Sequence, residues 1–303
     1  MSVSKVFTDA LVKQQVEDEK LDQGYLGRDD YLNELTSWKT LIDGMSNDHK
    51  KQYGAGSGGE LEPKNGKPPK MAAFASSSRM IYTLSKDIPG FRFEEKLPTT
   101  VGGKANMDGY LEQSGKYIFV EAKCREPYDH QAGQKIKQVY SGVYTYLQEK
   151  MPEIFSCEME NIPEKEKSKP KYEMTVRFKC CGIEIGHFDI KQMICHLLGA
   201  ATKFLNEQPE ELYAIRFLYL LYNPSNLKMD TPANRAEVMR IYVDTCWAAN
   251  HYNFTEMFGC VVDYLVQLRR EANKAVPEDT FIEKLKSVFG FKLCDQFDYH
   301  SYF

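Results

Sequence analysis

One short run constrains this 303-residue chain more than any other: Tyr117-Ile118-Phe119-Val120, followed at once by Glu121-Ala122-Lys123. The run is rich in β-branched and aromatic residues and apolar at both parities. It reads as a strand buried on both faces, the pattern of an α/β sheet. Upstream lie Asn106 to Gln113 and a polar turn, Ser114-Gly115-Lys116. A glycine-containing turn between two such runs predicts a hairpin. Strand alternation then puts Tyr117, Phe119, Glu121 and Lys123 on one face, and Ile118, Val120 and Ala122 on the other.

Glu121 and Lys123 therefore sit at the end of a buried strand, where charged groups are rare unless paired. A salt bridge closing the strand end is the simple account. Asp108, thirteen residues before Glu121, suggests more. Two carboxylates with waters and phosphate oxygens complete a magnesium shell, and Mn²⁺ can substitute. Such an ion acidifies a bound water and neutralises charge on a phosphate. A lysine on the same face can orient that water or stabilise developing negative charge. Asp108 and Glu121 are thus the expected metal ligands, with Lys123 as the catalytic cation. A third acid is expected from Phe91 to Leu97. Alternation puts Glu95 on the apolar side with Phe91 and Phe93, and Glu94 on the solvated side with Arg92 and Lys96.

Residues 189–205 have helical spacing at Ile190, Met193, Ile194, Leu197, Leu198 and Ala201, with Asp189 as N-cap. Gln192 and His196 are four apart and lie together. Gln192 is a candidate to hold water or a phosphate oxygen, or else a polar helix-face residue. His196 reads as a partly buried, hydrogen-bonded histidine rather than a ligand.

The segments Gly102-Gly103-Lys104-Ala105-Asn106-Met107-Asp108, Phe119-Val120-Glu121-Ala122-Lys123 and Glu126-Pro127-Tyr128 resemble the PD-(D/E)xK phosphodiesterase superfamily. More narrowly, they resemble a bacterial group of restriction-endonuclease-like proteins. The resemblance covers roughly residues 71–225. It implies a core of helix, three strands, helix and strand. These would be Met71–Lys86, Phe91–Leu97, the two hairpin strands, Asp189–Leu205 and Ala214–Tyr222. The family's Pro-Asp is Met107-Asp108 here; the proline is not a ligand. The first helix lacks the glutamate that some relatives carry, which makes Glu95, or Glu94, the substitute. The glutamine that several relatives place on the second helix corresponds to Gln192. The implied activity is Mg²⁺-dependent hydrolysis of phosphodiesters in nucleic acid, DNA first. The alternative is a non-catalytic nucleic-acid-binding or structural protein that keeps the fold. The oligomeric state is open, a homodimer included.

The rest of the chain frames that core. Residues 4–50 read as helical, with one helix starting at Asp29-Asp30. Residues 51–70, rich in Gly, Lys and Pro, read as a flexible linker. No Gly-Lys-Ser/Thr opens a helix there, which excludes a phosphate-binding loop. Ser76-Ser77-Ser78-Arg79 would contact phosphate or form a small-residue packing face. Residues 129–187 read as an insertion: a helix from Gln131 to Lys150, a charged loop, and a strand pair turning at Cys181-Gly182. Helices are expected near 232–250, 254–274 and 278–289, packed on the core. Lys123, Arg125, Lys135 and Lys137, interleaved with Tyr140, Tyr144 and Tyr146, form either a basic track for a nucleic-acid backbone or one face of an amphipathic helix.

The net charge of −4 argues against a protein that coats nucleic acid through charge alone. It leaves room for a nuclease, whose metal-binding acids are part of that sum. The eight cysteines form no Cys-x-x-Cys pair, so a zinc knuckle is not expected. No run reaches the roughly 18 apolar residues of a membrane span. Nor does residue 1 onward resemble a signal peptide. A cytoplasmic location is the expectation.

Overall fold

The computed structural model describes residues 1–18, 41–56, 59–63, 69–129, 134–159, 172–184 and 186–303. The chain is mixed α/β, built around a five-stranded sheet. Its strands are β1 (Arg92–Pro98), β2 (Lys104–Gln113), β3 (Lys116–Lys123), β8 (Ala214–Leu221) and β9 (Phe289–Cys294), side by side in that order. β1, β2 and β3 are antiparallel, whereas β8 and β9 run parallel to β3. The hairpin turn is tight, with Ser114 at φ 51° and Gly115 at φ 71°. Two successive positive φ angles match the right-handed twist of the flanking strands.

β3 is covered on both faces, as its apolar run demands. Phe119 and Phe217 face helix α5 (Ile190–Glu207), in a core with Leu197 and Phe204. Val120, Leu218 and Leu220 face the other way, toward helices α1 (Val3–Asp18) and α3 (Ser77–Ser85), in a core with Phe7 and Ile81. α5 approaches β1 and β2 closely at Gly199. A Cβ there would lie 2.7 Å from the Ala105 Cβ and 2.9 Å from the Leu97 Cβ.

The edge of β1 is covered by helix α2 (Asn47–Ala55). The Phe93 N–H donates to Gln52 Oε1 at 2.7 Å, and the Lys96 ammonium holds the Ala55 and Gly56 carbonyls. An edge so occupied is closed to pairing with another chain. α2 runs into the stretch expected as a linker, of which residues 57–58 and 64–68 lie outside the described residues.

Between β3 and α5 comes a second sheet. It comprises β4 (Gln134–Lys137), β6 (Tyr172–Cys180) and β5 (Phe155–Met159), with the short β7 (Ile183–Glu184) folded back on β6. Helix α4 (Gln138–Lys150) packs on it. Cys181 and Gly182 turn that strand pair, both at positive φ. Helices α6 (Pro232–His251), α7 (Phe254–Glu271) and α8 (Asp279–Ser287) follow β8.

Three expectations change. α3 begins at Ser77 rather than Met71, because the Ser76 side chain caps it by accepting from the Arg79 N–H. α4 begins at Gln138, since Gln134–Lys137 alternates buried and exposed as a strand. The stretch after α8 is the strand β9, not more helix; Phe289-Gly290-Phe291-Lys292-Leu293 alternates along a sheet edge. The helix expected from Asp29 lies outside the described residues.

Candidate functional site

The β2–β3 ladder pairs Gly109 with Val120 and goes no further toward Asp108 and Glu121. Where the strands part, the Ala122 N–H loses its ladder partner. Asp108 Oδ2 takes it at 2.8 Å. Glu121 and Lys123 point to the α5 face, as alternation requires. Both are buried, at 1% and 5% exposure. Lys123 Nζ donates to Glu121 Oε1 at 2.5 Å and to Gln192 Oε1 at 2.6 Å. An ammonium has three N–H groups, so one is left over.

These side chains line a cavity of about 400 Å³ between the main sheet and the insertion. Ser76, Ser77 and Ser78 form one wall, and Gln134, His187 and Asp189 the other. Acid dominates: seven carboxylates, from Glu60 and Glu94 round to Asp129 and Asp189, line it against the cations Lys70, Lys123 and Arg125. Burial pushes the Asp108 carboxyl up to about 6, against the pull of the Lys123 ammonium and the Ala122 N–H. Burial and the neighbouring Asp108 charge raise Glu121 further. Burial alone would lower Lys123, but the Glu121 and Glu126 carboxylates outweigh it and keep the ammonium charged.

One oxygen stands out. Glu121 Oε2 is buried and has no hydrogen-bond partner among the described residues. The fully buried His196 places Nδ1 3.5 Å away, also without a partner. Burial pushes the His196 imidazole down to about 3, so it brings no positive charge. A carboxylate oxygen facing an uncharged ring, in a cavity with surplus acid, is an environment that favours a cation. The described residues hold no cluster of three or more carboxylate, histidine or cysteine side chains set for a metal. Magnesium requires fewer, since waters and substrate oxygens complete its shell. Asp108 and Glu121 therefore fit the ion expected of them.

Glu95 does not join them. It pairs with Arg92 at 3.3 Å on the outer side, and Glu94 lines the cavity instead. The parity argument fails because Glu94 adopts φ 52°. Phe91 and Phe93 belong to the core on the α3 side, but Leu97, of the same parity, belongs to the α5 side. The strand changes face at Glu94. Gly56 leaves room for the displaced carboxylate: a Cβ there would lie 2.6 Å from Glu94 Oε2.

Gln192 reaches the site, yet its carbonyl oxygen holds Lys123 rather than standing open to a phosphate. Lys135 and Lys137 are exposed on β4, but the tyrosines expected between the basic residues turn away from solvent. Tyr144 is buried with its hydroxyl on the Lys191 carbonyl, and Tyr146 packs on Tyr264. Arg79 is also drawn inward, over the Phe74 ring.

Two residues at the site had no role assigned from sequence. Glu126 accepts the Ser77 hydroxyl at 2.9 Å and the Cys124 N–H at 2.9 Å. It thereby ties α3 to the end of β3. Its position three residues past Lys123, just before Pro127, was the available signal. Tyr219 is register partner to Glu121 across β3 and β8, and its buried hydroxyl likewise has no hydrogen-bond partner among the described residues.

No protein-family model matches the chain, and neither a curated protein nor a solved structure matches it.

Proposed function

We propose that this chain is a Mg²⁺-dependent phosphodiesterase acting on nucleic acid, DNA first, with a restriction-endonuclease-like core. The observation that carries the reading is the junction of β2 and β3. There an acid held by a backbone N–H, a second acid with an unpartnered oxygen and a buried cation meet in an acidic cavity. The element order α3, β1, β2, β3, α5, β8 supports the core assignment.

Asp108 and Glu121 would hold the ion. When bound, it supplies a water of lowered pKa and neutralises charge on the phosphate. The protein's part is mostly preorganisation. Ala122 fixes the Asp108 carboxylate, while Gln192 and Glu121 fix the Lys123 ammonium. The spare N–H of Lys123 offers a fixed positive charge for the negative charge that builds on a phosphate under attack. The hydroxyls of Ser76 and Ser78 offer donors along the cavity wall.

The test is cleavage of plasmid DNA, linear DNA and RNA with Mg²⁺ or Mn²⁺, comparing the native chain with Asp108→Ala and Lys123→Ala. Metal-dependent cutting by the native chain and by neither variant is the expected result. Absence of both cutting and Mn²⁺ binding in the native chain would leave the fold as a scaffold.

A further inference from the structure

The same sheet carries a second polar cavity at its other end, opposite in sign to the first. About 270 Å³ in volume, it is lined by Lys116 of β3, Arg216 of β8 and Lys292 of β9, with Ile118, Leu218 and Tyr302. Register places the three cations on one face, because Ile118 pairs with Arg216 and Leu218 pairs with Lys292. The catalytic candidates lie on the opposite face. Lys116 and Glu121 are also about 17 Å apart along β3, at roughly 3.3 Å per residue.

No carboxylate side chain lines this cavity among the described residues. Asp298, next to Tyr302, is taken up by the Asp295 N–H at 2.8 Å and approached by the Tyr302 hydroxyl at 3.4 Å. All three cations are exposed, and no acid among the described residues of the cavity wall offsets their charge, which leaves the site attractive to an anion. One of them is preset. Arg216 Nη1 donates to the Ile215 and Val288 carbonyls, each at 3.1 Å. The guanidinium lies across Gly290, where a Cβ would come within 3.1 Å of it. Its remaining N–H groups form a fixed fork of the kind that suits phosphate.

We propose that this cavity binds a phosphomonoester carried on a planar group, that is, a nucleoside monophosphate. Its phosphate would sit among Arg216, Lys116 and Lys292, with its base against Tyr302 and Leu218. A dianion matches the surplus charge better than a carboxylate would. The apolar floor favours a phosphate with a ring attached over the free ion. This inference is independent of the nuclease reading.

Calorimetric titration in EDTA tests it, with inorganic phosphate, adenosine 5′-monophosphate and a single-stranded oligonucleotide lacking a terminal phosphate as probes. The monophosphate is expected to bind more tightly than inorganic phosphate. Arg216→Gln with Lys292→Gln should weaken it at least about tenfold, the loss of one or two charge-assisted hydrogen bonds. Asp108→Ala should leave it unchanged. Lys116→Gln with Lys292→Gln keeps the Arg216 anchor and should show the same loss, which guards against a variant that fails to fold. Failure of both small probes to bind, or equal binding by the doubly substituted chains, would overturn the proposal. So would binding of the oligonucleotide alone, which would make this face a backbone contact.

Discussion

Asp108 is fastened to the strand that carries its partner acid: Oδ2 accepts the Ala122 N–H at 2.8 Å, one residue beyond Glu121. The distance between the two acids is thus governed by how β2 and β3 separate, not by side-chain rotamers alone. Asp108→Asn keeps an oxygen for that N–H and removes only the charge. It should fold normally by circular dichroism, yet lose at least about 100-fold in metal-dependent cleavage, the size expected when a preorganised charge is removed. Retained cleavage would exclude Asp108 as a ligand.

The same pair of substituents makes metal-free stability depend on pH. The unfolded Asp108 loses its proton near 3.8, whereas the folded one keeps it to about 6. Between those values the folded state binds more protons, so this group's contribution falls as pH rises through the window. The total is on the order of 3 kcal/mol. In urea denaturation with EDTA, the native chain should lose stability relative to Asp108→Asn from pH 4 to 6 and hold level above. A constant difference between the two would show that Asp108 does not titrate in this range.

Lys123 and Glu121 should be easy to damage singly and harder to damage together. Lys123→Met leaves a buried carboxylate without its cation and should cost about 3 to 5 kcal/mol at pH 8. The loss should shrink at pH 5, where Glu121 can take up a proton. Adding Glu121→Gln removes the uncompensated charge and should recover most of the stability. Denaturant midpoints for the four chains measure this directly; additive losses would mean the two side chains do not interact.

Glu94 and Glu95 should separate cleanly. Glu95→Ala breaks a partly exposed pair with Arg92 and should change stability by less than about 0.5 kcal/mol. Cleavage should stay within twofold of native. Glu94→Ala removes acid from the cavity wall and should weaken Mn²⁺ binding about tenfold, as loss of a supporting carboxylate does. The reverse order of effects would restore Glu95 to the site.

Gly199→Ala sets two effects against each other. Helix propensity favours alanine by about 1 kcal/mol. The new Cβ, however, would press on Ala105 and Leu97 inside normal contact distance. Backbone on both sides resists movement, so overpacking should win and the variant should melt earlier, by about 1 to 3 kcal/mol of stability. A stabilised protein would mean α5 can lift from the sheet freely.

The hairpin, the burial of β3 on both faces and helix α5 were legible because each is written in local periodicity and in one turn. Asp108, Glu121, Lys123 and Gln192 could be picked out for the same reason. What escaped the sequence depends on geometry that periodicity does not encode. Glu94 and Glu95 exchange faces through a single residue at positive φ, which alternation cannot anticipate. β9 is short and lies at an edge. Its partner β8 precedes it by about seventy residues, so no local signal announces the pairing. Tyr144 and Tyr146 are spaced like a surface track, but the insertion's own sheet and α7 draw them inward.

That distant pairing bears on how the chain comes together. β8 can find β9 only after three helices have intervened, so a contact of high sequence separation completes the sheet and should be slow to form. Until it forms, Ile215, Phe217 and Tyr219 stand on an open strand edge, a template for pairing with a neighbouring copy. A chain shortened before Phe289 should therefore accumulate as aggregates rather than as a smaller soluble protein. The residues that cover the β8 edge thus lie far from those that give the molecule a cavity for chemistry.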